Sequence, residues 1–192
     1  VGPMRSKLHP RIAVTARWIL TIYVGLTAVA TISYNFAGMG WFDSLCHSMS
    51  TVSTGGFSTK QESIAAFDSP KIEYVTTLFM FLSGINISLL YLFIFKFRFK
   101  DLLRDTEAKT YTAIVVIYTI AITIGLYFTT PADVELSFRT ALFQVVSIQT
   151  TTGFATANYV VWLPILWLLL CSLMFFGACS GSTSGAMKCV RI

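Results

Sequence analysis

Two short stretches carry side chains and backbone that could bind an ion without making or breaking a bond. "STGGF" at 53–57 and "TTTGF" at 150–154 each set hydroxyl residues beside a glycine and an aromatic residue, with no charge in either. Carbonyl oxygens of an extended chain can replace the hydration shell of a cation, and glycine tolerates the dihedrals that keep successive carbonyls on one axis. The candidate ion-binding residues are Ser53, Thr54, Gly55, Gly56 and Phe57 with Thr150, Thr151, Thr152, Gly153 and Phe154, the cation sitting at Thr54, Gly55, Thr151 and Thr152. The two aromatic residues are expected to wedge into the surrounding packing. Hydrolytic chemistry from Ser, Cys46 and His47 would need a carboxylate or second histidine nearby; the loops contain no acid, and His9 lies far off in the sequence. His47 therefore reads as a packed or solvated residue and the chain as a non-enzyme. Cys46, Cys171, Cys179 and Cys189 lack C-x-x-C spacing and suggest neither a disulfide framework nor a zinc site. "GACSGSTSGAMK" at 177–188 lacks the G-x-x-x-x-G-K-[ST] spacing of a phosphate loop, because Lys188 is followed by Cys189.

The elements that would position these stretches are membrane helices. The 192 residues are 55% hydrophobic and 12% charged, with mean hydropathy +0.69, against about 25% charged residues in a typical soluble domain. Trp18–Phe36, Tyr74–Phe95 and Tyr111–Phe128 are free of charge. At about 1.5 Å rise per residue each can cross a hydrocarbon core of roughly 30 Å. Thr140–Met187 is also uncharged, but as one helix it would extend about 70 Å, so it must fold back or break. Breaks are expected around Thr150–Gly153 and in the glycine-rich 177–187 stretch, leaving Val160–Phe176 as most of a fourth span. Residues 44–59 and 138–149 are expected to be re-entrant. Asn86, in mid-span, is expected to make an interhelical hydrogen bond.

Eleven of the fourteen basic residues fall at the N-terminus, in the 96–109 loop and after residue 187, while six of the nine acids fall in the opposite loops. The positive-inside rule then makes the N-terminus, the 96–109 loop and the C-terminal end cytoplasmic. This distribution also accounts for the net charge of +5 without nucleic acid. The chain repeats itself as well. "SLCHSMSTVSTGGFST" (44–59) aligns with "ALFQVVSIQTTTGFAT" (141–156) at an offset of 97 residues, each copy lying between apolar stretches. The fold expected is an all-α integral membrane protein of two parallel helix–pore loop–helix repeats. Residues 1–100 form the first, with filter 53–58; residues 101–192 form the second, with filter 150–155 and a last helix broken at 177–187. The filters match the T-V-G-Y-G pattern of potassium-channel pores only in T-x-G-aromatic, since Ser58 and Ala155 replace its last glycine. A less strict filter is therefore expected.

"HSMSTVSTGGFST", "TALFQVVSIQTTTGFATANY" and "GACSGSTSGAMKCVRI" together resemble the Trk/Ktr/HKT superfamily of potassium transporters, nearest to the TrkH-type membrane subunit. The resemblance implies four such repeats around one pore, of which this chain is similar to the second and third, so that a longer parent protein would supply the rest. One glycine per filter segment is implied, here Gly56 and Gly153. It also implies potassium as the transported ion, no covalent cofactor, a bacterial inner membrane location, a homodimer and a cytoplasmic RCK-type nucleotide-binding regulator. The alternative is a membrane-embedded structural or assembly subunit with no ion pathway of its own. A gate is expected at the 177–187 stretch, from Gly177, Ser180, Gly181, Ser182, Thr183, Ser184, Gly185 and Lys188. Glycine costs about 1 kcal/mol against alanine inside a helix, and the hydroxyls compete for the backbone. The corresponding stretch of the first repeat, with one glycine, is expected to stay an unbroken helix.

Overall fold

The computed structural model describes residues 12–90, 105–129, 133–175 and 177–185. Every regular element among them is helical. In chain order these are α1 (Ile12–Ala37), α2 (Trp41–Val52), α3 (Pro70–Ser83), α4 (Thr106–Thr129), α5 (Val134–Gln149) and α6 (Pro164–Leu173), with 3-10 turns at Ser63–Phe67 and Tyr159–Val161. A further helix opens at residues 87–90.

Among the described residues two helices are long and apolar enough to cross a membrane: Ala16–Ala37 within α1, at mean hydropathy 1.5, and Thr106–Thr129, at 2.0. Their threonines do not break them, because Thr21, Thr27, Thr31, Thr112 and Thr123 each donate to a carbonyl four residues back. Leu20, Val24 and Ile32 of α1 and Ile117, Ile120 and Ile124 of α4 point outward, as lipid-facing positions would. Each long helix leads into a shorter one. α1 packs on α2 and α4 on α5, while α3 packs on α5 and so joins the halves. Hydroxyl pairs fix the first of these contacts: Thr31 to Ser48 at 2.6 Å and Tyr34 to Thr51 at 2.8 Å, all four residues buried. At one end Arg139 of α5 reaches Glu73 of α3 at 3.0 Å and Glu135 at 3.4 Å.

Two expected spans are shorter than the sequence suggests. The stretch 74–95 is not one helix: α3 stops at Ser83, residues 84–86 are non-helical, and helix resumes at 87; residues beyond 90 lie outside the described set. Asn86 opens the resumed helix. Its Oδ1 accepts the Ser88 backbone N–H at 2.8 Å, starting a new helix as an N-cap does, rather than the interhelical bond expected. The second correction is at 160–176. Pro164 opens α6, which lasts ten residues to Leu173, about 15 Å. A proline at the first helical position costs no hydrogen bond there, so the chain before it is free to form the Tyr159–Val161 turn. Residues 177–185 are non-helical, as expected of the glycine–serine stretch.

Candidate functional site

The two threonine–glycine segments leave their helices in the same way. α2 ends on Ser53 and α5 on Thr150, both helical caps. The next residue turns left-handed in each case, Thr54 at φ 53° and Thr151 at φ 57°. Thr54 N–H then bonds Thr51 O at 3.1 Å and Gly55 N–H bonds Ser50 O at 2.8 Å; Thr151 N–H bonds Ile148 O at 3.0 Å and Thr152 N–H bonds Ser147 O at 2.9 Å. These are paired Schellman caps, a motif that ordinarily uses glycine at the left-handed position. A β-branched residue there is an outlier costing about 1–3 kcal/mol, kept only where surroundings over-determine it. Two residues later the chain turns left-handed again, at Gly56 (φ 68°) and Gly153 (φ 83°).

The segments touch each other. A Cβ on Gly56 would overlap the Thr152 carbonyl oxygen and sit 3.3 Å from the Gly153 carbonyl carbon. Gly153 has open space around it, so only its dihedral demands glycine. Around this contact the second segment is held more closely. Ser147 Oγ donates to Phe154 O at 2.6 Å, and the Thr150 and Thr152 hydroxyls pair at 2.8 Å. Ala155 exchanges bonds with the Ser63–Phe67 turn, its O accepting Ala65 N–H and its N–H reaching Ser63 Oγ, both at 3.3 Å. Phe154 is 1% exposed and packs inward; Phe57 is 81% exposed within this chain. The difference is one of neighbours: Phe154 faces His47, ring centroids 5.9 Å apart, while the Phe57 ring lies beside Gly55.

His47 is more than a packing residue. It is fully buried, its Nδ1 2.7 Å from Asp43 O and its Nε2 2.9 Å from Ser58 Oγ, at the end of the first segment. Thr59 donates to Asp43 Oδ1 at 2.6 Å and holds that carboxyl below the usual carboxylate range. The sequence offered His47 only as a neighbour of Cys46; its eleven-residue separation from Ser58 carries no periodic signal.

The glycine–serine segment meets both threonine–glycine segments from one side. The Thr54 hydroxyl donates to Thr183 O at 3.1 Å, and Gly185 N–H donates to Thr151 Oγ1 at 2.7 Å. The two strained threonines thus both bond this segment. Three further bonds run to the interruption after α3: Cys179 N–H to Gly84 O at 3.1 Å, Ile87 N–H to Gly181 O at 3.2 Å, and Thr183 Oγ1 to Ser83 O at 3.2 Å. Gly181, at φ 76°, packs against the Asn86 amide. Within the segment Ser182 Oγ bonds Cys179 O at 2.7 Å and Ser184 Oγ at 2.8 Å. Ser180 reaches Glu107, a partner that the sequence did not single out. Gly177 lies at its start, before the buried Ala178 and Cys179; Lys188 lies outside the described residues.

A sequence profile described as "TrkH: Cation transport protein" matches residues 4–192. The chain is 41% identical over 192 residues to the Trk system potassium uptake protein TrkH of Halomonas elongata, covering 100% of this chain and 40% of that one. It is 39% identical over 196 residues to Trk system potassium uptake protein TrkH of Escherichia coli, again covering 100% and 40%. The crystal structure of the potassium transporter TrkH from Vibrio parahaemolyticus superposes with TM-score 0.91 at 36% identity, over 96% of this chain and 40% of that chain. The chain thus spans about two-fifths of the length of these relatives. With a profile that runs nearly end to end and a matching helical fold, this chain belongs to the TrkH family of cation transport proteins.

Proposed function

We propose that this chain is the part of a bacterial inner-membrane potassium-uptake protein that carries two filter segments and a gate. Residues 53–58 and 150–155 line the ion path, with potassium held by the carbonyls of Thr54, Gly55, Thr151 and Thr152. Two more helix–loop–helix units of a longer protein would close the path, and residues 1–100 and 101–192 are the two units present. The observation that carries this reading is the doubled geometry: left-handed threonine and left-handed glycine recur at the same offset of 97 residues, and the two segments touch at Gly56 and Thr152. Neutral oxygens suit a weakly hydrated monovalent ion, whereas a divalent ion such as calcium draws on carboxylates. The names of the relatives support potassium as that ion.

In the same reading the 177–187 segment obstructs the path beneath the filter, since its residues Thr183 and Gly185 bond to Thr54 and Thr151. The N-terminus and the 96–109 loop are cytoplasmic. There an RCK-type nucleotide-binding subunit would act on the gate, and the whole protein would be a homodimer. The test is rubidium uptake by the full-length protein carrying Gly153→Val. Valine at φ 83° cannot keep the backbone turn, so uptake is expected to fall below a tenth of the parent value. Unchanged uptake at equal expression would remove residues 150–154 from the ion path.

A further inference from the structure

Among the described residues, one charged side chain bonds to the glycine–serine segment, and it belongs to neither filter. Glu107 Oε2 accepts both the backbone N–H of Ser180, at 3.1 Å, and its hydroxyl, at 2.8 Å. The other bonds that fix the segment join neutral groups, on Ser83, Gly84, Ile87, Thr54 and Thr151. Bonds to an ionised acceptor are roughly twice as strong as neutral ones, so the carboxylate of Glu107 is the strongest of these anchors. It is carried by α4.

An acid in the first turn of a helix usually serves that helix, by capping it or by meeting its dipole. Here the capping is already done. Asp105 Oδ1 accepts the N–H groups of Glu107 and Ala108 at 2.9 and 3.1 Å. The Glu107 side chain is left to reach across to Ser180. That residue lies between Cys179 and Gly181, which bond to the two sides of the α3 interruption. The carboxylate therefore holds the residue between the two that bond the interruption. It stands on the first turn of α4, which begins within the basic 96–109 stretch, so a displacement of α4 at that end moves the carboxylate directly.

We propose that Glu107 is the latch of the glycine–serine segment: its carboxylate holds Ser180 while the segment is docked, and parting the two is a step in opening the path. The second half of this statement rests on the segment being the gate. Glu107 acts through Ser180 and is a positioning residue, so its test needs a readout of segment docking that does not depend on transport. Cys179 supplies one, being fully buried and adjacent to Ser180.

In the full-length protein with its other cysteines replaced by serine, the rate at which a methanethiosulfonate reagent modifies Cys179 should rise roughly tenfold or more in Glu107→Ala, as expected for loss of charge-assisted bonds. Glu107→Gln keeps an acceptor and should rise less. Ser180→Ala, which keeps the backbone donor, should rise less than Glu107→Ala and add little to it. Rubidium flux through the same variants in liposomes should rise in the same order, and so should flux after deletion of Ala178–Ser184. An unchanged labelling rate in Glu107→Ala overturns the latch; if the deletion still raises flux, the gate itself stands. Faster labelling with unchanged flux in both Glu107→Ala and the deletion confirms that Glu107 holds the segment and overturns the gate.

Discussion

Thr54 and Thr151 concentrate the chemistry of the molecule in two residues. Each is left-handed, each follows the cap of a helix, and each uses its hydroxyl to bond residues 183–185, Thr54 by donating to Thr183 O and Thr151 by accepting from Gly185 N–H. The sequence marked these residues by type and alignment, but it could not reveal the dihedral, because threonine is among the residues least suited to it. The glycines two positions later were legible, since a turn beside hydroxyl residues demands such freedom. Their roles differ in a way only packing reveals. At Gly153 the added Cβ of alanine meets nothing, so Gly153→Ala carries the left-handed penalty of about 1–2 kcal/mol alone. At Gly56 the same atom would overlap the Thr152 carbonyl oxygen and push the two segments apart. Gly56→Ala should therefore abolish rubidium uptake by the full-length protein, while Gly153→Ala should keep a measurable fraction. Equal losses in the two variants would mean that the segments are not in contact.

Helices follow from the pattern where the pattern is local. The uncharged runs gave α1 and α4, and the polar clusters after 52 and 149 gave the ends of α2 and α5. The interruption after α3 was not legible, because one glycine in an apolar run is ordinarily tolerated and Asn86 reads as a helix-packing residue. What makes the interruption is a partner nearly a hundred residues away: the Cys179 N–H and Gly181 O take up backbone groups of Gly84 and Ile87 that a continuous helix would use itself. The short α6 was missed for the converse reason, since apolarity says how much chain can be buried but not that Pro164 opens the helix. Gly84 also has a steric role. A Cβ there would lie 2.5 Å from the Tyr111 hydroxyl and 3.1 Å from Thr150 Cγ2. Gly84→Ala should lower stability by about 1–3 kcal/mol, read as a drop in the thermal midpoint of the detergent-solubilised protein. Adding Tyr111→Phe removes the clashing oxygen, at the loss of its bond to Phe81 O, and should recover part of that drop. No recovery would place the strain elsewhere than at Tyr111.

The whole molecule is two helical halves joined by α3 on α5, by Arg139 with Glu73, and by the touching threonine–glycine segments. Family membership was readable from three ordered motifs and helical class from the uncharged runs, while the placement of basic residues proposes an orientation. That orientation has a direct check. In a full-length protein without native cysteines, Glu62→Cys and Asp133→Cys should react with an impermeant thiol reagent from outside, and Leu102→Cys only from the cytoplasm; the reverse would invert the gate and the filter. The central claim is that the backbone around Thr54 and Thr151 binds the transported ion. Anomalous diffraction from crystals of the full-length protein grown in rubidium measures this most directly. The account predicts density against the carbonyl oxygens of Thr54, Gly55, Thr151 and Thr152. Ordered rubidium elsewhere along the path, with none beside these four residues, would contradict it.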